Sequence, residues 1–357
     1  MRRLLLLTMA VSLSVSVLLR AADDLVLSRF GDYLDSLRSQ AGIPGLAATL
    51  VRPGFANWET AFGRQDLERA IAARPDTPFE LDGTSQLLTA GRILRCAEDG
   101  RLSLDDAIGQ FPPPSPGDAE NVDLSATIRQ LLSHTSAGPD GLTFSYRPER
   151  LKPLAWVIAA CTNSTFRAAT VDLLQRFAMF DSVPGLDVLT ATTPADGFDA
   201  ATMSNFAALL DRLAKPYAID LHGGSTPSQY SAVSLTPASG LISTVRDVAR
   251  FDASLRKGVL LTAQTLADAW TPPLDRNGQR LPHGLGWFVQ SYNGERIVWQ
   301  FGVSDNASSS MIITIPGRGL TLMLLANSQG LARPFPLAAG DILVSPFARL
   351  FLSVFVR

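Results

Sequence analysis

Four apolar runs of strand length follow one another near the end of the chain, and they constrain its fold more than any other feature. They are GLGWFVQS, ERIVWQFG, SSSMIITIP and LTLMLLAN, between residues 284 and 327. Asn293-Gly294 separates the first two runs, and both residues of an Asn-Gly pair tolerate the positive φ that a two-residue hairpin requires. Pro316 and Gly319 bound the turn between the last two. The runs therefore predict consecutive antiparallel strands.

A second set of strands is expected near the other end of the chain. GLAATLVRPGFANWETAFG, residues 45–63, contains two strand-like runs joined at Pro53-Gly54, after an amphipathic helical segment that ends near Gly42. Short helical patterns and turns fill residues 107–234. We therefore predict an α/β (α+β) fold in which one antiparallel sheet flanked by helices is built from both chain ends. Residues 23–106 and 235–357 form its sheet region, and residues 107–234 form an inserted helical region.

The segment PFELDGTSQLLTAGRILRCAEDG, residues 78–100, predicts a buried helix. Leu87, Ala90, Gly91 and Leu94 recur at the spacing of one helix face. The turn before such a helix is a common position for a hydrolase nucleophile, and here it contains Gly83-Thr84-Ser85-Gln86. Whether any residue of this turn attacks a substrate is the central question that the sequence raises.

The first residues have the pattern of an export segment. Arg2 and Arg3 precede an uncharged run over residues 4–19, which as a helix spans roughly 24 Å and is shorter than the ~30 Å hydrocarbon core of a membrane. Residues 1–22 are therefore predicted to be a signal peptide, or an uncleaved N-terminal anchor. Either form predicts an exported protein, periplasmic or secreted, that contacts a membrane only through residues 4–19.

Composition excludes several classes of function. A formal net charge of −2 gives no basis for nucleic-acid binding. His134, His222 and His283 lie far apart in the sequence with no second ligand at metal-binding spacing, so neither a metal nor another cofactor is expected. Cys96 and Cys161 could pair in an oxidising compartment, but Cys96 lies beside the buried helix face, and we predict two free thiols.

Taken in order, several segments resemble one family. IPGLAATLVR, DTPFEL, AEDGRLSLDD, TIRQLLSHTSAG, PASGLISTVRDVARF, HGLGWFV and LTLMLLANS are similar to recurring blocks of the serine β-lactamase and penicillin-binding-protein superfamily. The likeness is greatest to its branch of class C β-lactamases, DD-peptidases and esterases, and it covers residues 28 to 350. The resemblance implies that superfamily's fold, and it implies a packed, structural role for His134.

The resemblance also locates the family's nucleophile motif, Ser-x-x-Lys, in which the serine attacks a carbonyl and the lysine helps to accept its proton. Ungapped alignment from PFEL to AEDGRLSLDD puts the serine position at Gly83 and the lysine position at Gln86. Glycine has no attacking group, and an amide is not a base near neutral pH.

The other two motifs are altered as well. Tyr-x-Asn falls on Tyr146-Arg147-Pro148, so the tyrosine is kept and the asparagine is lost at Pro148. Lys-x-Gly or His-x-Gly falls on Gln300-Phe301-Gly302, which keeps the glycine and loses the cation. The family's oxyanion donors would be the backbone N–H groups of Gly83 and Val303. No catalytic residue is therefore assigned, and Tyr146 is the surviving polar side chain of the three motifs.

These substitutions predict a catalytically inactive homologue that binds a small molecule, a peptide or a cell-envelope protein in the former active-site cleft. The cleft would be lined by the motif positions and their neighbours: Gly83, Gln86, Tyr146, Gln300, Gly302 and Val303. One alternative is an active serine hydrolase of β-lactamase, DD-peptidase or esterase type that uses an untypical serine such as Ser85. Gly83 to Leu87 also imitates the Gly-x-Ser-x-Gly turn of α/β-hydrolases, although Leu87 replaces its last glycine. The third alternative is a structural envelope protein.

Overall fold

The computed structural model describes residues 23–356. The predicted export segment, residues 1–22, lies outside the described residues. Ten helices are formed by the described part of the chain: α1 (23–40), α2 (Gln86–Glu98), α3 (Ile128–Leu132), α4 (Leu154–Thr162), α5 (Phe166–Arg176), α6 (Val188–Ala191), α7 (Ala200–Asp211), α8 (Val245–Arg256), α9 (Ala263–Ala269) and α10 (Pro346–Phe355). None of these helices is both long and apolar enough to cross a membrane.

Fourteen strands accompany the helices between residues 23 and 356. They are β1 (Gly45–Val51), β2 (Trp58–Asp66), β3 (Ile71–Ala72), β4 (Phe79–Glu80), β5 (Thr135–Gly138), β6 (Gly141–Phe144), β7 (Val183–Pro184), β8 (Tyr217–Ile219), β9 (Ser225–Pro227), β10 (Leu241–Ser243), β11 (Phe288–Tyr292), β12 (Glu295–Ser304), β13 (Ser308–Ile315) and β14 (Leu320–Ala326).

The main sheet has seven strands in the order β11-β12-β13-β14-β1-β2-β3, and all its neighbours are antiparallel. The pairing of β1 with β14, in which Leu46 faces Ala326, joins the two ends of the chain. The β11–β12 hairpin turns at Asn293 and Gly294, whose φ angles are 49° and 78°. The fold class predicted from the sequence, including the sheet made from both chain ends, is confirmed.

Helices cover both faces of this sheet, and β1 and β14 are therefore buried on both sides. Leu46, Ala48 and Leu50 of β1 pack in the cluster that contains α1 and α10, where the rings of Phe30 and Phe355 are 5.2 Å apart. Residues of β1 that point the other way pack with α2 and α8 in a second cluster. Alternation along a strand thus supplies two cores, and the second one fixes α2 beneath the sheet.

The two cysteines correct one prediction. Cys96 of α2 and Cys161 of α4 form a disulfide with a Cα–Cα distance of 6.3 Å, so the expected free thiols are wrong. The cause is helix packing, because α4 lies against α2 and brings together two residues that are 65 positions apart. Sequence spacing alone carries no information about that contact.

Candidate functional site

The turn before α2, Asp82–Ser85, lies directly against strand β12. A Cβ atom on Gly83 would stand 2.5 Å from the carbonyl oxygen of Phe301 and 3.1 Å from the Cα of Gly302. A Cβ atom on Gly302 would stand 2.2 Å from the carbonyl oxygen of Leu81 and 2.6 Å from the nitrogen of Gly83. Two facing glycines therefore let the turn and the strand touch, with no room for a side chain between them.

A series of hydrogen bonds joins the other motif positions beside this contact. Gln86 Nε2 donates to the Tyr146 hydroxyl over 2.9 Å, and this hydroxyl donates to Gln300 Oε1 over 3.4 Å. Gln300 Nε2 donates to the carbonyl oxygen of Gly286, and the N–H of Phe301 donates to Gln300 Oε1. The side chains at the positions that the resemblance assigns to a lysine, a tyrosine and a second cation therefore lie together, and they are hydrogen-bonded to one another.

His134 completes this series at its other end. The backbone N–H of Arg147 donates to His134 Nδ1 over 3.2 Å, so the proton of the neutral ring lies on Nε2, 3.1 Å from Gln86 Oε1. Burial, followed by the nearby His283 and Arg150, lowers the pKa of His134 well below its usual value. The ring is therefore neutral, packed and hydrogen-bonded through both nitrogens, in the structural role that its sequence context implied.

None of these side chains offers a base near neutral pH. The two amides do not accept protons, and the free lone pair of His134 is already used by a backbone N–H. Burial raises the pKa of the Tyr146 phenol, because the charged form would be poorly solvated, and this keeps the phenol protonated. The arrangement can hold the turn against the strand, but it cannot activate a nucleophile.

Asp82 accepts the backbone N–H groups that the resemblance assigns to an oxyanion. Its Oδ1 accepts the N–H of Val303 over 3.2 Å, and the N–H groups of Gly83 and Val303 both lower its pKa. Burial outweighs them and raises the pKa of Asp82 to about 6. Asp82 is not among the site residues predicted from the sequence. The feature that could have indicated it is an aspartate in a turn directly before a glycine, where carboxylates often accept backbone N–H groups.

Glu80 lies behind Asp82 and is fully buried. Its Oε1 accepts the N–H of Asp82 over 2.8 Å and the N–H of Gly240 over 3.4 Å, while Oε2 accepts the hydroxyl of Ser308. Burial, and then the charge of Asp82, raises the pKa of Glu80 to about 8. Two neighbouring acids, Glu80 fully buried and Asp82 half-buried, therefore lie together at the turn.

Ser85 and Pro148 lie outside this hydrogen-bonded group. The side chain of Ser85 is buried, and its Oγ accepts the N–H of Leu241 over 3.4 Å. Pro148 begins the 3-10 turn Pro148–Leu151 and supplies no polar side-chain atom. Within residues 23–356, no group of three or more His, Cys, Asp or Glu side chains is arranged to hold a metal ion.

Most of the residues predicted to line a ligand cleft are buried. Gln86 and Gln300 are 2% and 0% exposed, and Gly302 is in direct contact with the turn. The N–H of Val303 is bound to Asp82. Protein groups therefore satisfy these positions, and the binding of a ligand there stays a prediction.

A family model described as Beta-lactamase matches residues 29–344. Protein flp of Staphylococcus aureus (strain NCTC 8325 / PS 47) is 32% identical over 101 residues, which are 28% of this chain and 20% of that protein. The chain therefore matches about a fifth of the length of this curated relative.

Solved structures resemble the chain over most of its length. The octameric penicillin-binding protein homologue from Pyrococcus abyssi superposes with a TM-score of 0.70 and 17% identity, covering 92% of this chain and 77% of the other. A class C beta lactamase from Rhodobacter sphaeroides gives a TM-score of 0.66 and 17% identity, covering 91% and 99% of the two chains. At such identities the likeness shows the fold alone.

Proposed function

The chain belongs to the β-lactamase family, as its sequence predicted, and we propose that it is a member without acyl-transfer activity. One observation carries the proposal: the hydrogen-bonded series from His134 through Gln86 and Tyr146 to Gln300, in which each polar side chain is satisfied by another protein group. Every polar side-chain atom of this series has a protein partner, and none of its side chains is a base near neutral pH.

Acyl transfer needs a nucleophile, a base to activate it, and donors for the oxyanion. Gly83 supplies no nucleophile, and Gln86 supplies no base. The N–H of Val303, one of the two expected oxyanion donors, is taken by the Asp82 carboxylate. A carboxylate at that position also repels the negative charge that develops on a substrate oxygen. The predicted nucleophile and lysine positions therefore lack the groups that acyl transfer needs, and one expected oxyanion donor is already bound.

The rival function is a serine hydrolase that uses Ser85. The Ser85 hydroxyl is buried and accepts a backbone N–H, which lowers the electron density available for attack. No lysine or histidine is among its hydrogen-bond partners in the described part of the chain. A serine without a neighbouring base is weakly nucleophilic, so the geometry favours the inactive member.

We expect the purified protein to form no covalent adduct with penicillins, cephalosporins or activated esters. Intact-mass spectrometry after incubation with a penicillin measures this directly, with an active class C β-lactamase as the positive control. The Ser85→Ala variant should behave identically to the unmodified protein. A stoichiometric adduct that Ser85→Ala abolishes would replace the proposal with the Ser85 hydrolase.

The proposed cellular role is that of an exported protein, periplasmic or secreted. A disulfide between Cys96 and Cys161 supports this, because disulfides persist in oxidising compartments and are rare in the cytosol. The substituted site leaves the protein to act by binding or as a structural component of the cell envelope, instead of by catalysis.

This role predicts an oxidised protein in the envelope fraction of producing cells. Mass measurement of that material should give a chain two hydrogens lighter than the reduced form, either cut near residue 22 or intact and membrane-associated. Recovery of the chain from the cytosol with both thiols free to alkylate would contradict the proposed export.

A further inference from the structure

A second candidate site lies at the opposite end of α2 from Gly83, roughly 15 Å along a helix that rises 1.5 Å per residue. It is a cavity of about 530 Å³, within the usual size range of small-molecule sites. Its walls come from the C-terminal half of α2, the ends of α4 and α5, and the segment after α8. None of the family's three catalytic motifs falls on these residues, although Asp99 and Arg101 belong to the block AEDGRLSLDD.

Arginine dominates the polar lining of this cavity. Four guanidinium groups from two helices and one loop line it: Arg92, Arg95, Arg101 and Arg176. Asp99 is 3.0 Å from Arg95, and Asp172, beside the cavity, is 2.9 Å from Arg176. Glu98 is also near, 4.0 Å from Arg95, but its Oε1 accepts the hydroxyl and N–H of Thr262. The wall therefore keeps an excess of positive charge.

Arg92 is the least satisfied of the four. Its Nε is buried and has no acceptor among the described residues, while one Nη is 3.4 Å from Asp172. Burial lowers the pKa of Arg92. The nearby Asp172 raises it, whereas Arg176 and Arg101 lower it further. A bound anion would offset this repulsion.

The rest of the lining is apolar and firmly held. Leu173 and Phe177 are buried side chains of the wall, and Val259 lies at its exposed edge. The Cys96–Cys161 disulfide ties α2 to α4 at the cavity, and Arg101 donates to the carbonyl oxygen of Cys161 over 3.2 Å. A ligand for this site needs an apolar body as well as negative charge.

We propose that this cavity binds a small organic dianion with an apolar body, either a phosphate monoester or a dicarboxylate. A planar guanidinium fork matches both anions, since each presents two oxygens at suitable spacing. The proposal is independent of the former active site and does not require any catalysis.

Isothermal titration calorimetry of the full-length oxidised protein tests the proposal with phenyl phosphate and phthalate as dianions and benzyl alcohol as the neutral analogue. Binding of at least one dianion with a Kd below about 1 mM is expected, and benzyl alcohol should not bind. Arg101→Gln and Arg176→Gln should each weaken binding about tenfold, because each removes a charge-assisted hydrogen bond. Both side chains are largely exposed, so the variants should fold.

Arg276→Gln is the matched control, because Arg276 is a similarly exposed arginine paired with Asp140 away from the cavity. It should leave binding unchanged. Binding of phenyl phosphate alone would assign the phosphate monoester, and binding of phthalate alone the dicarboxylate. Absence of binding of both dianions at about 10 mM, or equal weakening by Arg276→Gln, would overturn the proposal.

Discussion

Gly83→Ser is expected to lower the stability of the protein and to restore no acylation, even when it is combined with Gln86→Lys. The new Cβ would stand 2.5 Å from the backbone oxygen of Phe301, which cannot rotate away as a side chain could. Forcing extra atoms into such a contact costs about 1–3 kcal/mol of unfolding free energy. A lysine at position 86 would further bury a charge among His134 and Tyr146 in place of a satisfied amide.

Gly302→Ala tests the same contact from the strand side and should cost at least as much. Its Cβ would meet the carbonyl oxygen of Leu81 at 2.2 Å. Gly138→Ala is the control, because a Cβ there meets nothing within 4 Å and the residue also lies in a strand. Chemical denaturation of the three variants gives the comparison. A Gly83→Ser protein as stable as the unmodified one, and acylated by a penicillin, would show that the turn and strand separate readily.

The unfolding free energy is expected to fall as the pH rises from about 6.5 to about 8, and Glu80→Gln should remove most of this loss. Between about pH 4 and 6.5 the buried, neutral His134 and His283 oppose the effect of Glu80 and Asp82, because burial lowers the pKa of both rings and their protonation disfavours the folded state. Burial, and then Asp82, raises the pKa of Glu80 from 4.5 to about 8, and burial raises the pKa of Asp82 from 3.8 to about 6. At these two acids the folded protein therefore binds more protons than the unfolded chain within these windows, so their contribution to stability decreases as the pH rises through them. Above about pH 9 both acids are ionised in both states, and their contribution becomes constant.

Glutamine at position 80 mimics the protonated acid, since it can accept the backbone N–H groups of Asp82 and Gly240 without a buried charge. The variant should be more stable than the unmodified protein at pH 8, by roughly 4 kcal/mol, and nearly equal to it at pH 4. Denaturant titrations across this pH range measure the effect.

Glu98→Gln is the control of opposite sign. Burial raises the pKa of Glu98, but hydrogen bonds from Thr265 and Thr262 outweigh it and hold the pKa below its usual value. Its replacement should therefore reduce stability at neutral pH, where the ionised carboxylate is favoured, and matter less in acid. A Glu80→Gln protein whose stability keeps the original slope between pH 6 and 8 would contradict the assignment of that slope to Glu80.

The sequence by itself determined the features that depend on neighbouring residues. Asn293 and Gly294 tolerate positive φ, so they specified the β11–β12 hairpin before any tertiary contact was known. Thr244 accepts the N–H of Asp247 at the start of α8 for an equally local reason. Glycine at position 83 and glutamine at position 86, where the resemblance places a serine and a lysine, could also be read directly, because ordered segments on both sides give an alignment without a gap.

Only the tertiary structure decided the contacts between distant residues. The Asp82 carboxylate reaches the N–H of Val303, and Cys96 pairs with Cys161, although these partners are 221 and 65 positions apart. Such pairs depend on where whole helices and strands pack, to which every core side chain contributes. Turn and helix signals are encoded within a few residues, whereas the space between Gly83 and Gly302 is set by the distance between α2 and the sheet. The sequence could therefore show which side chains stand at the predicted motif positions, and the packing of the fold decided what surrounds them.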